Sequence, residues 1–342
     1  MSVRVAVIPP RKADGLVAEV YAEIRHDFGA VVEPFTLHSP APDLLAAVWR
    51  VFRESLIAGE ASRYLKEAVA TAVSETNRCP WCVDAHTAML HAANRHDVAG
   101  AMRRGREPRD PEAAALVAWA DASRSPGAPE LASPPFDAAA APEFIGTAVS
   151  FHYINRTVSA LLGPSPLPFG GRFGRATSRV AGRWFARAVN RPTISESAAP
   201  TRPAPLPRNF AWAAPAPAIA AAFTGFASVV GEEGAQALDR PTRTLVEERV
   251  VAWEGEFPPP THSWVDEAVT ELDREARPGA RVALLAALAP YQIDGEVIDD
   301  YRAQGADDQQ IVAAIAWASF VAASRVAEWL SAPFDDRIVT TR

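Results

Sequence analysis

The sequence predicts an all-α protein built from two similar helical domains, and three observations carry that prediction. Apolar residues recur every three to four positions over most of the chain, alanine is abundant and strand-favouring runs are few. Segments of the second half repeat segments of the first, the later ones at an offset of 168–169 positions. Between the halves the composition turns rich in proline and glycine. At 342 residues the chain exceeds one ordinary core. The expected division is a helical domain at 1–163, a linker at 164–216 and a second helical domain at 217–342.

Taken in order, the elements are as follows. From Ala41 to Ile57 the positions Leu44, Leu45, Val48, Trp49, Phe52 and Leu56 mark one helix face. Tyr64 to about Ser74 forms a second helix and Pro80 to about Ala93 a third. Asp110-Pro111-Glu112 reads as a helix start, with a capping acid and proline at the first helical position. That helix ends before Ser125-Pro126-Gly127, and another spans Pro142 to Leu162. The linker contains a basic amphipathic stretch, Arg172 through Arg191 at steps of three and four. It reads either as a packed helix with solvated arginines or as a contact for an anionic partner.

In the second half, Ala218-IAAAFTGF resembles Leu44-LAAVWRVF, Arg281-VALLAALA resembles Glu112-AAALVAWA, and Arg325 stands to Arg156 at the same offset. Asp307-Asp308-Gln309-Gln310 reads as a capping box opening the last helix. The tryptophans at 49, 119, 253, 317 and 329 read as core.

Bulk properties narrow the function. A net charge of −7 argues against nucleic acid as a partner. One cysteine pair gives no disulfide framework, which fits a reducing, cytoplasmic setting. The apolar stretch near the N-terminus is too short for a signal sequence, and no membrane span is expected. Dinucleotide and phosphate-loop signatures are absent, and no cofactor is expected.

The chemistry concentrates at Cys79-Pro80-Trp81-Cys82-Val83-Asp84-Ala85-His86. Pro80 suits the first helical position, which makes Cys79 the cap and places Cys82 in the first turn, where unpaired N–H groups favour thiolate and a low Cys82 pKa is expected. His86 follows one turn later, in position to take a thiol proton. Glu67 precedes Cys79 by twelve residues within an apolar helix, where burial is expected to raise its pKa. Structural zinc would need a fourth ligand, and His91 and His96 lack a standard spacing for one. Inert burial of the thiols is the plainer alternative. A dithiol of this kind reduces an electrophilic oxygen or sulfur and closes to a disulfide. The second half has PPPTHSW in this place, with Pro259 and His262 set against the cysteines, and cannot do dithiol chemistry.

The segment Glu67-AVATAVSETNRCPWCVDAHTAML closely resembles the AhpD-like alkylhydroperoxidases of the carboxymuconolactone decarboxylase superfamily, whose pattern is a glutamate, CxxC, and a histidine four beyond the second cysteine. Leu37-His38-Ser39-Pro40-Ala41-Pro42 is similar to that family's lead-in, and Asn155-Arg156 with Leu162-Gly163 to its closing helix. The resemblance implies a thiol peroxidase cycle. Cys82 would attack a hydroperoxide, Cys79 would resolve the sulfenic acid, and Glu67 and His86 would relay protons. A thiol or dithiol reductant would be the second partner and a homo-oligomer the assembly. Some members carry a second histidine between the cysteines; here Trp81 takes that place, leaving one histidine in the relay and an aromatic ring at the site's mouth. A redox-sensing or electron-carrying dithiol with little turnover is the alternative function. Decarboxylation fits less well, because that branch does not depend on CxxC.

Overall fold

In a computed structural model, residues 3–162, 185–191, 193–194 and 205–339 are described. Among them the fold is all-α. The helices are α1 (Gly15–Asp27), α2 (Glu33–Thr36), α3 (Pro42–Phe52), α4 (Arg63–Thr76), α5 (Pro80–Ala92), α6 (His96–Met102), α7 (Pro111–Asp121), α8 (Pro129–Ala132) and α9 (Ala141–Leu161). A helical stretch at 185–189 is α10. There follow α11 (Pro217–Ala237), α12 (Arg240–Ala252), α13 (Ser263–Ala268), α14 (Arg277–Leu288), α15 (Gly295–Ala303) and α16 (Asp308–Val339). A single antiparallel bridge joins Val3 to Leu162. Most of the arginine-rich stretch expected in the linker lies outside the described residues; Arg187 and Arg191 are within them and exposed.

The expected helix starts form by the expected chemistry. Asp110 accepts hydrogen bonds from the backbone N–H groups of Glu112 and Ala113. Asp307 accepts from the N–H of Gln310 at 2.8 Å while the Gln310 side chain accepts from the N–H of Asp307 at 3.0 Å, a reciprocal capping box. Helix α3 continues through a π turn, Arg53–Ile57.

Alanine-bearing helices form the interior. Helix α4 is buried continuously from Leu65 to Ser74 and packs on α5, α7 and α9. Helix α9 packs on α16, α3 on α11, and α16 also on α11 and α14. A helix apolar on all sides belongs in a core, and small residues let such helices approach closely. By length and hydropathy Asp308–Phe334 is apolar enough to cross a membrane, but 78% of its apolar window is buried inside this fold, as in a core helix. Trp49, Trp119, Trp253 and Trp317 are buried as expected.

The two halves are joined by buried arginines that have no carboxylate partner among the described residues. Arg156 donates Nε–H to the Ala287 carbonyl at 2.9 Å and Nη1–H to the His152 carbonyl at 2.6 Å. Arg325, its counterpart by offset, pairs with Glu328. Arg124 donates to the carbonyls of Gly255 and Glu256 and lies over the Phe257 ring. Gly255 has φ +95° with its α-carbon against the Arg124 carbonyl, so a side chain has neither the conformation nor the space there. Burial lowers Arg156 to about 9 and Arg124 to about 10. Carbonyl oxygens and ring faces, not an anion, are what accommodate these cations.

Candidate active site

The CxxC segment is aimed by a tight connection between α4 and α5. At the end of α4, the N–H of Cys79 donates to the Ser74 carbonyl and that of Arg78 to the Glu75 carbonyl, both at 2.9 Å. This pair of bonds is the Schellman closure, and it requires a left-handed residue, here Arg78 at φ 55°. An arginine in that conformation is strained; its guanidinium stacks 3.7 Å from the Phe257 ring centroid, tying the turn to the second half. Cys79 thus serves as the cap of α5, with Pro80 at the first helical position, as the sequence led us to expect.

The four sequence-selected residues come together in space. Cys79 and Cys82 are buried free thiols with their Sγ atoms 3.0 Å apart. On the facing surface of α4, Glu67 is wholly buried. Its Oε2 lies 2.6 Å from His86 Nδ1, and its Oε1 accepts from Arg63 Nε and Nη2, both at 2.7 Å. A carboxylate has no proton to give, so Nδ1 of His86 carries the hydrogen, and in the neutral ring Nε2 is the acceptor. The edge of Phe151 fixes the ring, with centroids 4.5 Å apart.

Cys82 and His86 both line an apolar cavity of about 240 Å³; Cys79 is not among its lining residues. Phe52 and Leu56 come from α3 and its π turn, Trp81 and Met89 from α5, and Phe151 and Ile154 from α9. Trp81 therefore sits where the sequence suggested, on the wall of an apolar site.

A scan against family models matches the carboxymuconolactone decarboxylase family over residues 42–122, a span that holds Glu67, both cysteines and His86. An alkyl hydroperoxide reductase of Mycobacterium tuberculosis is 41% identical over 336 residues, covering 97% of this chain and 95% of that protein. The chain belongs to the carboxymuconolactone decarboxylase superfamily, in its AhpD-like alkylhydroperoxidase branch. No solved structure matches it.

Within this AhpD-like frame the electrostatics depart from the sequence expectation twice. Burial pushes Glu67 up, but Arg63 and then His86 pull it down by more, so it lies below its ordinary value rather than above. The i,i+4 pairing of Arg63 with Glu67 was the available sequence signal. The thiols are ordered oppositely to expectation as well. Burial raises Cys79, yet hydrogen bonding from the Cys82 thiol and backbone N–H, then from Ser159 and Asn155, brings it below its ordinary value. Cys82 is raised well above its own, by burial and then by its partner sulfur. The Cys82 backbone N–H is one of the donors that lower Cys79, as expected for a thiol at a helix start.

Behind the sulfurs runs a buried polar chain. Asn155 donates to Ser74 Oγ and accepts from Asn77 Nδ2, which also donates to His152 Nδ1, each at 3.1 Å. His152 Nε2 lies 2.8 Å from Ser123 Oγ. With Nδ1 accepting, Nε2 carries the hydrogen, and burial beside Arg156 and Arg124 holds the ring neutral. His152 and Tyr153 belong to the core and not to the cavity wall. Tyr153 donates to His38 Nε2 at 2.8 Å, and His38 Nδ1 donates to the Pro34 carbonyl. In the second half, His262 ties to the Gln292 carbonyl and Arg281, a loop latch. Among the described residues no cluster of histidine, cysteine and carboxylates suits a metal ion.

Proposed function

We propose that this AhpD-like protein is a thiol-dependent hydroperoxide reductase, with Cys82 as the attacking sulfur. The observation that carries this reading is that Cys82 and His86 share the wall of the apolar cavity while Cys79 stands behind, one sulfur-to-sulfur contact away. Because burial keeps the Cys82 thiol protonated, it needs a base at the moment of attack. His86, held in the Nδ1–H form by Glu67, offers Nε2 for that proton. Attack on the terminal oxygen of R–O–O–H breaks the O–O bond, gives Cys82 sulfenic acid, and returns the proton to the departing alkoxide as R–OH. The Cys79 thiolate then attacks the Cys82 sulfur, forming the disulfide and releasing hydroxide that leaves as water. A thiol or dithiol reductant restores both sulfurs. The low pKa of Cys79 suits this second, nucleophilic step.

The two halves are, in our reading, two similar domains, a site-bearing one at 1–163 and one without the dithiol at 217–342, joined by the segment 164–216. Its support is that helices matched by sequence meet across the halves, α3 with α11 and α9 with α16, as in a pair related by a two-fold axis. A homo-oligomer of such fused pairs in the cytoplasm completes the reading, and light scattering checks the assembly.

The deciding experiment is peroxide consumption with a dithiol reductant by wild type, Cys82→Ser and Cys79→Ser. Turnover is expected only in wild type, with a sulfenic acid trapped on Cys82 in Cys79→Ser. Slow stoichiometric oxidation of the wild type would instead favour a redox-sensing dithiol.

A further inference from the structure

The cavity has one wall that its own helical domain does not supply. Phe185, on α10, lines it, with its ring 5.8 Å from that of Phe28. Phe185 lies in the segment between the halves and outside residues 42–122 matched to the family. Several contacts hold this segment in place. Asn190 Nδ2 donates to the Ala92 carbonyl at the end of α5 at 2.9 Å. Arg191 Nη1 donates to His26 Nε2 at 3.0 Å, and Arg53 Nη2 to the Ile194 carbonyl at 3.2 Å. Ala188 sits over Gly29, where an added Cβ would lie 3.2 Å from the alanine methyl and φ is +97°. Glycine at 29 therefore permits the close approach that brings Phe185 over the cavity.

The other aromatic walls, Phe28, Phe35, Phe52, Trp81 and Phe151, are buried in the core, whereas Phe185 is only partly buried. Its ring is thus the wall that can change size without repacking the fold. At about 240 Å³ the cavity is smaller than the roughly 300–1,000 Å³ typical of sites for drug-sized ligands. An organic group on a hydroperoxide oxygen presented to Cys82 must fit within it.

We propose that Phe185 is a specificity-determining residue that sets the upper size of the organic group admitted to Cys82, a function built from the inter-half connection. The proposal rests on the hydroperoxide reading for its substrate, and its test separates the two. With dithiothreitol as reductant, kcat/KM is compared for tert-butyl and cumene hydroperoxide in wild type, Phe185→Ala and Phe185→Trp. The cumene to tert-butyl ratio is expected to rise on the order of ten-fold in F185A and to fall in F185W. In a Cys79→Ser background, alkylation of Cys82 by iodoacetamide and by N-benzylmaleimide, followed by mass spectrometry, reads the same access without peroxide. There the larger reagent is expected to gain selectively in F185A and lose in F185W. If the alkylation order shifts while no variant consumes peroxide, Phe185 is a size-setting wall and the peroxidase reading falls. If neither ratio moves in either variant, the proposal is overturned whatever the turnover.

Discussion

Glu67 and His86 are locked together across α4 and α5, Oε2 to Nδ1 at 2.6 Å, and Arg63 holds the other carboxylate oxygen. This arrangement makes the carboxylate's charge a condition of the histidine's tautomer. Glu67→Gln keeps the shape but removes that charge, so Nδ1 is free to be the unprotonated nitrogen. Turnover is expected to fall by roughly 10²–10⁴-fold, the range of a lost general base, with KM for hydroperoxide little changed. Steady-state kinetics on the variant checks this.

The same carboxylate links stability to pH. Glu67 lies below its ordinary carboxylate value in the folded state. Its contribution is therefore fully present above the ordinary carboxylate range and is lost as pH falls through the lower, folded value. Urea midpoints measured from neutral pH downward should decline more steeply in wild type than in Glu67→Gln. Parallel declines would show that the buried charge is not coupled to folding.

The order of the two thiols gives a separate expectation. Cys82 supplies both a thiol and a backbone N–H to its partner, so Cys82→Ser keeps the backbone donor and replaces the thiol by a hydroxyl, while Cys82→Ala removes the thiol donor outright. Cys79 is expected to titrate below an ordinary thiol in wild type and to move up in Cys82→Ala. Cys82 should move down in Cys79→Ala, which removes the neighbouring sulfur that raises it. Iodoacetamide rates against pH, read per residue by mass spectrometry, distinguish the two. A lower value on Cys82 than on Cys79 in wild type would reverse the assignment of the anion.

Arg156 tests the join between the halves. Replacing it by methionine removes a buried cation but leaves the Ala287 carbonyl buried with the arginine's hydrogen bond gone. A loss of about 1–3 kcal/mol is expected from such an unsatisfied group, measured by chemical denaturation. His152, which the Arg156 charge helps keep neutral, should become easier to protonate; its imidazole NMR shifts against pH report this.

Much of this was legible in the sequence because it is local. The helix beginning at Asp110 follows from a cap and a proline, and that at Asp307 from the reciprocal Asp307–Gln310 pairing, both written within four residues. The cap role of Cys79 follows from Pro80. Helix α1 was missed although Val17, Val20, Tyr21 and Ile24 carry the helical spacing; the signal was present but faint beside the polar residues between them. What spacing does not contain is approach from a distance. Phe28 and Phe185 reach the cavity, and Phe257 reaches Arg78, only through tertiary packing. The acidity of Glu67 depends on weighing burial, the largest single influence, against Arg63 and His86 together, and the two paired charges outweigh it.

That balance yields the last prediction. After burial, Arg63 is the largest influence on Glu67, ahead of His86. Arg63→Met keeps the aliphatic stem against α4 and deletes the charge, so the Glu67 pKa must rise. Once Glu67 takes up a proton, it no longer fixes Nδ1–H on His86, and the base for Cys82 is lost. The acid limb of the pH–rate profile is therefore expected to move toward neutral pH in Arg63→Met, while the plateau at higher pH stays near the wild-type rate. Arg63→Lys, which restores a charge but not the fork that places two nitrogens on Oε1, should fall between the two. An acid limb that stays in place in Arg63→Met would mean that Glu67 does not govern the protonation of this site.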